Sequence, residues 1–212
     1  MKTLITILLT TLVRFASPGQ NTEVNWQQTL KTELTKLDTS KTYGVWKQSI
    51  ANLESLAKAH PDEWLLQYYT GWACTQLSFQ APNGQAEPLT DKAEDYVKKA
   101  LQLQPDNTET LTLMAYWLSA RINASPTRGV TLGSESREYA GKAIAADSTN
   151  PRAHLIKALV TYYTPALFGG GKKKAQPLVQ ETTQRFAAFK PKTALDPHWG
   201  NDIAQQLAKE YR

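Results

Sequence analysis

With 212 residues, 41% of them hydrophobic and 20% charged, the chain has the apolar content of one compact domain or a short array of repeats. Its 24 Lys and Arg exceed its 19 Asp and Glu by a formal charge of +5, and the two signs interleave along helical faces, which excludes a nucleic-acid-binding polycation. A lone cysteine, Cys74, excludes an intrachain disulfide framework and reads as a small core residue in an apolar helix.

The first 19 residues stand apart. Lys2 supplies a positive start, Leu4 to Val13 a short apolar run, and "FASPGQ" small residues at a cleavage point, the pattern of a secretory signal peptide. The run is too short to span a bilayer, Arg14 behind it is irregular, and the alternative is an uncleaved anchor. No cysteine lies near the cut to take a lipid. Removing Lys2 and Arg14 with the leader leaves 22 basic against 19 acidic residues, a formal charge of +3. Residues 20–212 then form a single helical-repeat domain, exported to the periplasm or beyond.

In that remainder apolar residues recur at three and four, alternation at two is rare, and Pro and Gly cluster between the periodic runs, so the fold is all-α. Nine helices follow in order: 22 to 38, 42 to 59, 62 to 79, 89 to 104, 108 to 123, 134 to 147, 151 to 163, 172 to 189 and 199 to 211. Leu30, Leu34 and Leu37 give the first an apolar stripe, and Ile203, Leu207 and Tyr211 give one to the last, as capping helices require. In the second, Tyr43, Trp46, Ile50, Leu53, Leu56 and Ala57 share one face, and "HPDEW" closes it.

Between the caps the same grammar returns. When "SIANLESLAKAHPDEWLLQYYTGWACTQL", "KAEDYVKKALQLQPDNTETLTLMAYWLSA" and "REYAGKAIAADSTNPRAHLIKALVTYY" are set in register, Gly71, Ala115 and Ala158 share a column, and so do Leu56, Ala100 and Ala143. Small residues at such a column let two helices cross closely. The segment "KKALQLQPDNTETL", with Ala93, Ala100 and Pro105, resembles the second helix and exit turn of a tetratricopeptide repeat. The period here, 44 then 43, exceeds the family's roughly 34 residues, and the excess lies inside each helix pair, in "SFQAPNGQAEPL", "NASPTRGVTLG" and "TPALFGGG". Together with "NPRAH", "YYTPALFGGG" and "DPHWG", the whole is similar to a group of exported tetratricopeptide-like proteins from bacteria of the Bacteroidetes type. That resemblance implies a helical-hairpin solenoid and an address, with no catalytic motif.

The stretch "YYTPALFGGGKKKAQPL" sets three glycines and three lysines ahead of a helix. A nucleotide-binding loop needs Gly-Lys followed by Ser or Thr, after a strand; here Lys173 follows Lys172, after a helix, so the stretch reads as a turn in which Gly169 to Gly171 take positive φ. The alternative is an anion held beside Lys172, Lys173 and Lys174. His60, His154 and His198 are scattered and carry no metal-ligand spacing, no nucleophile elbow is present, and no cofactor motif appears, which leaves a dispersed hydrolase site as the weakest reading.

The first helix of each tetratricopeptide repeat lines the concave side. Its outward positions here, Leu65, Tyr68 and Trp72, Glu109 and Tyr116, and Arg152, Tyr162 and Tyr163, combine aromatic and arginine side chains of the kind that dominate interfaces. The three insertions emerge on one edge, where Arg128, Phe168 and Lys172 are the candidates. The expectation is a non-catalytic adaptor that presents this face or edge to another envelope protein, without nucleic acid and with oligomeric state unassigned. The alternative is a binder of a small ligand, a glycan or an anionic metabolite.

Overall fold

The computed structural model describes residues 25–211, and the predicted leader at 1–19 lies outside them. Nine α-helices are present among the described residues: α1 (Trp26–Thr39), α2 (Tyr43–Ala59), α3 (Trp64–Ser78), α4 (Ala86–Leu103), α5 (Thr108–Ala124), α6 (Gly129–Ala146), α7 (Pro151–Tyr163), α8 (Lys172–Ala188) and α9 (Asn201–Lys209). Short 3-10 turns, Pro126–Arg128 and Ala166–Phe168, precede α6 and follow α7. No described helix is long and apolar enough to cross a membrane.

The helices pack as antiparallel hairpins, α3 with α4, α5 with α6 and α7 with α8, while α3, α5 and α7 also touch in series and form the inner layer. Asparagine starts three helices: the side chains of Asn25, Asn107 and Asn150 accept the backbone N–H of Gln28, Glu109 and Arg152, each satisfying one orphan donor of a first turn. Pro151, whose missing N–H costs nothing at the first helical position, adds to the third. Helix α6 begins earlier than its periodicity predicts, at Gly129, because the Pro126 turn runs straight into it and Gly129 itself holds helical angles.

The small-residue columns mark real close approaches. A Cβ on Gly71 would stand 2.9 Å from Val97 Cγ2 in α4, and Ala115, Ala158, Ala100 and Ala143 are fully buried. The closeness brings Ser136 of α6 to the α5 backbone, where its hydroxyl donates to Ala115 C=O at 2.8 Å. One apolar cluster runs from Leu30 in α1 to Ala204 in α9, and Leu30, Leu34 and Leu37 are buried as their stripe predicts. At the other cap Leu207 is buried, with Ile203 and Tyr211 half-buried.

Candidate functional site

The inner layer is not an open groove. Residues 189–200, between α8 and α9, run back across α3, α5 and α7 as a strap and fill the concavity. Tyr69 Oη donates to Leu195 C=O at 2.9 Å, and Trp199 Nε1 donates to Tyr68 Oη at 2.8 Å. Trp199 is the plug: its ring stacks on Trp72 (centroids 6.0 Å apart) and on Tyr116 (5.4 Å), and Tyr116 stacks in turn on Phe79 (5.2 Å). Aromatic pairs at this offset gain about 0.5–1.5 kcal/mol each beyond the area they bury.

Beneath the plug lies a buried ion pair. Arg152 donates to Glu109 through Nε (2.9 Å to Oε2) and Nη2 (2.6 Å to Oε1), and Asn150 Nδ2 donates to Oε1 at 2.8 Å. Tyr68 Oη passes the chain on, donating to Glu109 Oε2 at 3.2 Å. The outer face of the guanidinium is covered by the Phe189 ring of the strap at 4.4 Å. Burial alone would lower the Arg152 pKa, but the hydrogen bonds and charge of Glu109 hold it above its ordinary value. Burial pushes the Tyr68 phenol well up, with Glu109 adding to the effect.

Five predicted partner contacts are therefore corrected. Tyr68, Trp72, Glu109, Tyr116 and Arg152 are all buried; Tyr68, Trp72, Tyr116 and Arg152 contact the protein's own strap, and Glu109 is held beneath it by Arg152. The reason is legible in α3, "WLLQYYTGWACTQLS", which carries no charged residue and so has no face suited to water. Leu65 packs against the same core. Tyr162 is half-buried, and its hydroxyl donates to Glu210 at 3.1 Å, where Lys172 Nζ also binds at 3.1 Å. Tyr162 and Glu210 hold the Lys172 ammonium above its ordinary pKa, so this pair of predicted residues ties α7 and α8 to the end of the chain. Tyr163 and Phe168 are exposed, while Arg128 pairs with Glu87 and ties α6 to α4. Cys74 is buried, and burial pushes its thiol up to about 12.

The glycine turn is closed by its own backbone hydrogen bonds. Gly169 and Gly171 take positive φ as predicted. Gly170 serves differently: a Cβ there would stand 2.3 Å from Thr164 C=O, and the neighbouring Gly171 N–H donates to Thr161 C=O at 2.8 Å.

Beside the strap a cleft of about 320 Å³ remains, between the end of α1, the end of α3 and the start of α9. Leu37, Trp46, Trp72, Trp199 and Ile203 supply its apolar walls, and Lys41 stands at its rim. Trp72 Nε1, though buried, has no acceptor among the described residues.

His198 also lines the cleft, but both ring nitrogens are engaged. Nδ1 faces Asp196 C=O at 3.0 Å and Nε2 faces the Asp38 carboxylate at 2.9 Å. Both partners are acceptors, an arrangement that favours the protonated ring, and the Asp38 hydrogen bond raises its pKa against an opposing effect of burial. Sequence reasoning gave Trp199 and His198 no place in the site, because a "DPHWG" turn far along the chain carries no sign of where it docks. A broader hollow of about 600 Å³ on the outer side, by Leu101, Leu111 and Tyr139, has the Lys142 ammonium over its one aromatic ring at 5.2 Å. Among the described residues no cluster of His, Cys, Asp and Glu is arranged to hold a metal.

Stacked helical hairpins with small residues at their crossings define a tetratricopeptide-like repeat protein. A thermophilic TPR protein from Thermus thermophilus shares the fold, with a TM-score of 0.59 at 16% identity over 87% of this chain and 90% of that one. A second solved structure, the HusA haemophore from Porphyromonas gingivalis, aligns with a TM-score of 0.77 at 31% identity, over 91% of this chain and 94% of that one. The chain belongs to the family of that haemophore. No family model matches it. No curated protein matches it by sequence.

Proposed function

We propose that this protein is an exported, non-catalytic carrier that binds a planar tetrapyrrole of the haem type in the cleft between α1, α3 and the strap. The observation that carries this reading is the near-full-length likeness, at 31% identity, to a haemophore. The cleft suits the chemistry. The buried Trp46, Trp72 and Trp199, packed on one another, line it together with the half-buried Ile203. Lys41 stands at its rim paired with Asp202 at 3.5 Å and could exchange that partner for a propionate, and the Trp72 N–H has no acceptor among the described residues. Contact runs through ring faces, since His198 is committed to Asp38 and Asp196.

A tetrapyrrole absorbs where tryptophan emits, so binding in this cleft quenches indole fluorescence. Titration with haemin is expected to give saturable quenching, weakened about tenfold or more by Lys41→Glu, which places a carboxylate against the propionates. An unchanged titration in that variant would move the site elsewhere; no quenching at all would remove the reading.

The adaptor reading is favoured by a different observation, the apolar side chains left exposed where the helix pairs are joined.

A further inference from the structure

Helices α3, α5 and α7 all end on one edge of the array, and the three insertions project from it. Among the described residues every large hydrophobic side chain that is exposed, apart from Val45, lies there: Phe79 after α3, Val130 at the start of α6, Tyr163 at the end of α7, and Leu167 and Phe168 in the turn that follows. Leu167 is 89% exposed, Val130 87%, Tyr163 74% and Phe168 67%. Two turns into α6, Arg137 donates to Thr164 Oγ1 at the end of α7 at 3.5 Å. Soluble surfaces scatter single apolar residues; several large ones gathered on a protruding edge mark a contact surface.

The tip is held in shape. Gly169 N–H donates to Ala166 C=O, Gly170 N–H to Pro165 C=O and Gly171 N–H to Thr161 C=O, and the close approach of Gly170 to Thr164 admits no side chain. Leu167 and Phe168 are thus presented outward by a bonded turn and contribute nothing to the core.

The tip carries more lysine than its two acidic neighbours, Glu87 on Arg128 and Glu210 on Lys172, neutralise. From Thr110 to Ser134, and again from Ser148 to Gln180, the sequence has no Asp or Glu, while Arg128, Lys172, Lys173 and Lys174 flank the apolar residues. Three lysines open α8, the end of a helix where the macrodipole disfavours cations, and the first turn holds no acid. Lys172 is answered by Glu210; Lys173 and Lys174 have no ion-pair partner among the described residues. A local rule broken without compensation inside the fold points to a partner outside it.

We infer that this edge docks the protein onto an anionic lipid surface, with Leu167, Phe168, Tyr163 and Val130 entering the interfacial layer and Lys173 and Lys174 facing headgroup phosphates. An exposed apolar tip flanked by lysines matches both layers of such a surface, and the two kinds of contact reinforce one another. The inference stands apart from the tetrapyrrole reading, because the cleft and the edge share no residue.

The test is vesicle co-sedimentation of a chain beginning at Gln20, which keeps every described helix. The vesicles are phosphatidylcholine alone, or equal parts phosphatidylcholine and phosphatidylglycerol. Binding is expected to the mixed vesicles only and to weaken as salt is added. Leu167→Ser with Phe168→Ser abolishes it at unchanged helicity, whereas Val45→Ser, an exposed apolar change away from the edge, leaves it intact. Lys173→Gln with Lys174→Gln reduces it about twenty-five-fold, at roughly five-fold per lysine. No binding to mixed vesicles, equal binding to neutral ones, or binding that survives the Leu167 and Phe168 changes would overturn the inference, and the exposed edge would then belong to a protein interface.

Discussion

The strap-filled inner layer and the insertion edge are built from similar residues and have opposite fates. Both gather aromatic and apolar side chains beside arginine or lysine. In the inner layer Trp72, Tyr116 and Trp199 stack, and Arg152 is matched by Glu109. At the edge Tyr163, Leu167 and Phe168 stay in solvent, and Lys173 and Lys174 have no partner among the described residues. Composition alone does not separate a core from a contact surface. What separates them here is whether another part of the same chain arrives to cover the residues and neutralise the charge.

That contrast sets the order of mutational effects. The largest belongs to Glu109→Ala, which strands a buried guanidinium; a loss of about 3–5 kcal/mol is expected, read as a fall of roughly 10 °C in the melting temperature. The double change Glu109→Leu with Arg152→Met would sharpen the point by losing less than the single one, since no unpaired charge remains. Trp199→Ala follows, at about 3 kcal/mol or more, because the plug gives up two ring stacks and its hydrogen bond to Tyr68. Limited trypsin digestion should then cut after Lys192 in the loosened strap faster than in wild type.

A smaller, pH-dependent effect is expected from His198→Gln. The His198 pKa is raised by Asp38 in the folded state, so the tie contributes fully below its ordinary value of 6.5 and is lost as pH rises through the folded-state value. The variant should therefore be less stable than wild type in mildly acidic buffer, by about 0.5 kcal/mol for a partly exposed pair, and the difference should vanish on the alkaline side. The smallest effect on stability belongs to the edge: Leu167→Ser with Phe168→Ser should melt within about 0.5 kcal/mol of wild type. A large loss there would mean that the edge is core after all.

The helices were legible because their signals are local. Periodic apolar stripes and small-residue columns gave the order and the pairing, while several limits, such as the start of α6 at Gly129, needed the structure. The filling of the concave side was not legible from the tetratricopeptide pattern, which concerns neighbouring helices, whereas the strap closes contacts such as Tyr68 to Trp199 across most of the chain. One sign of it was present in α3, whose lack of any charge is incompatible with an aqueous groove. The edge was legible as a set of insertions, and Phe168 and Lys172 were identified, but the exposure of Val130 and Leu167 required the turn geometry.

The central claim is a ligand cleft left open beside a closed inner layer, and haemin titration followed by tryptophan fluorescence, on wild type and on Lys41→Glu, tests it most directly. Saturable quenching that weakens about tenfold in the variant is the predicted result. Quenching of equal strength in both proteins, or none in either, would contradict it.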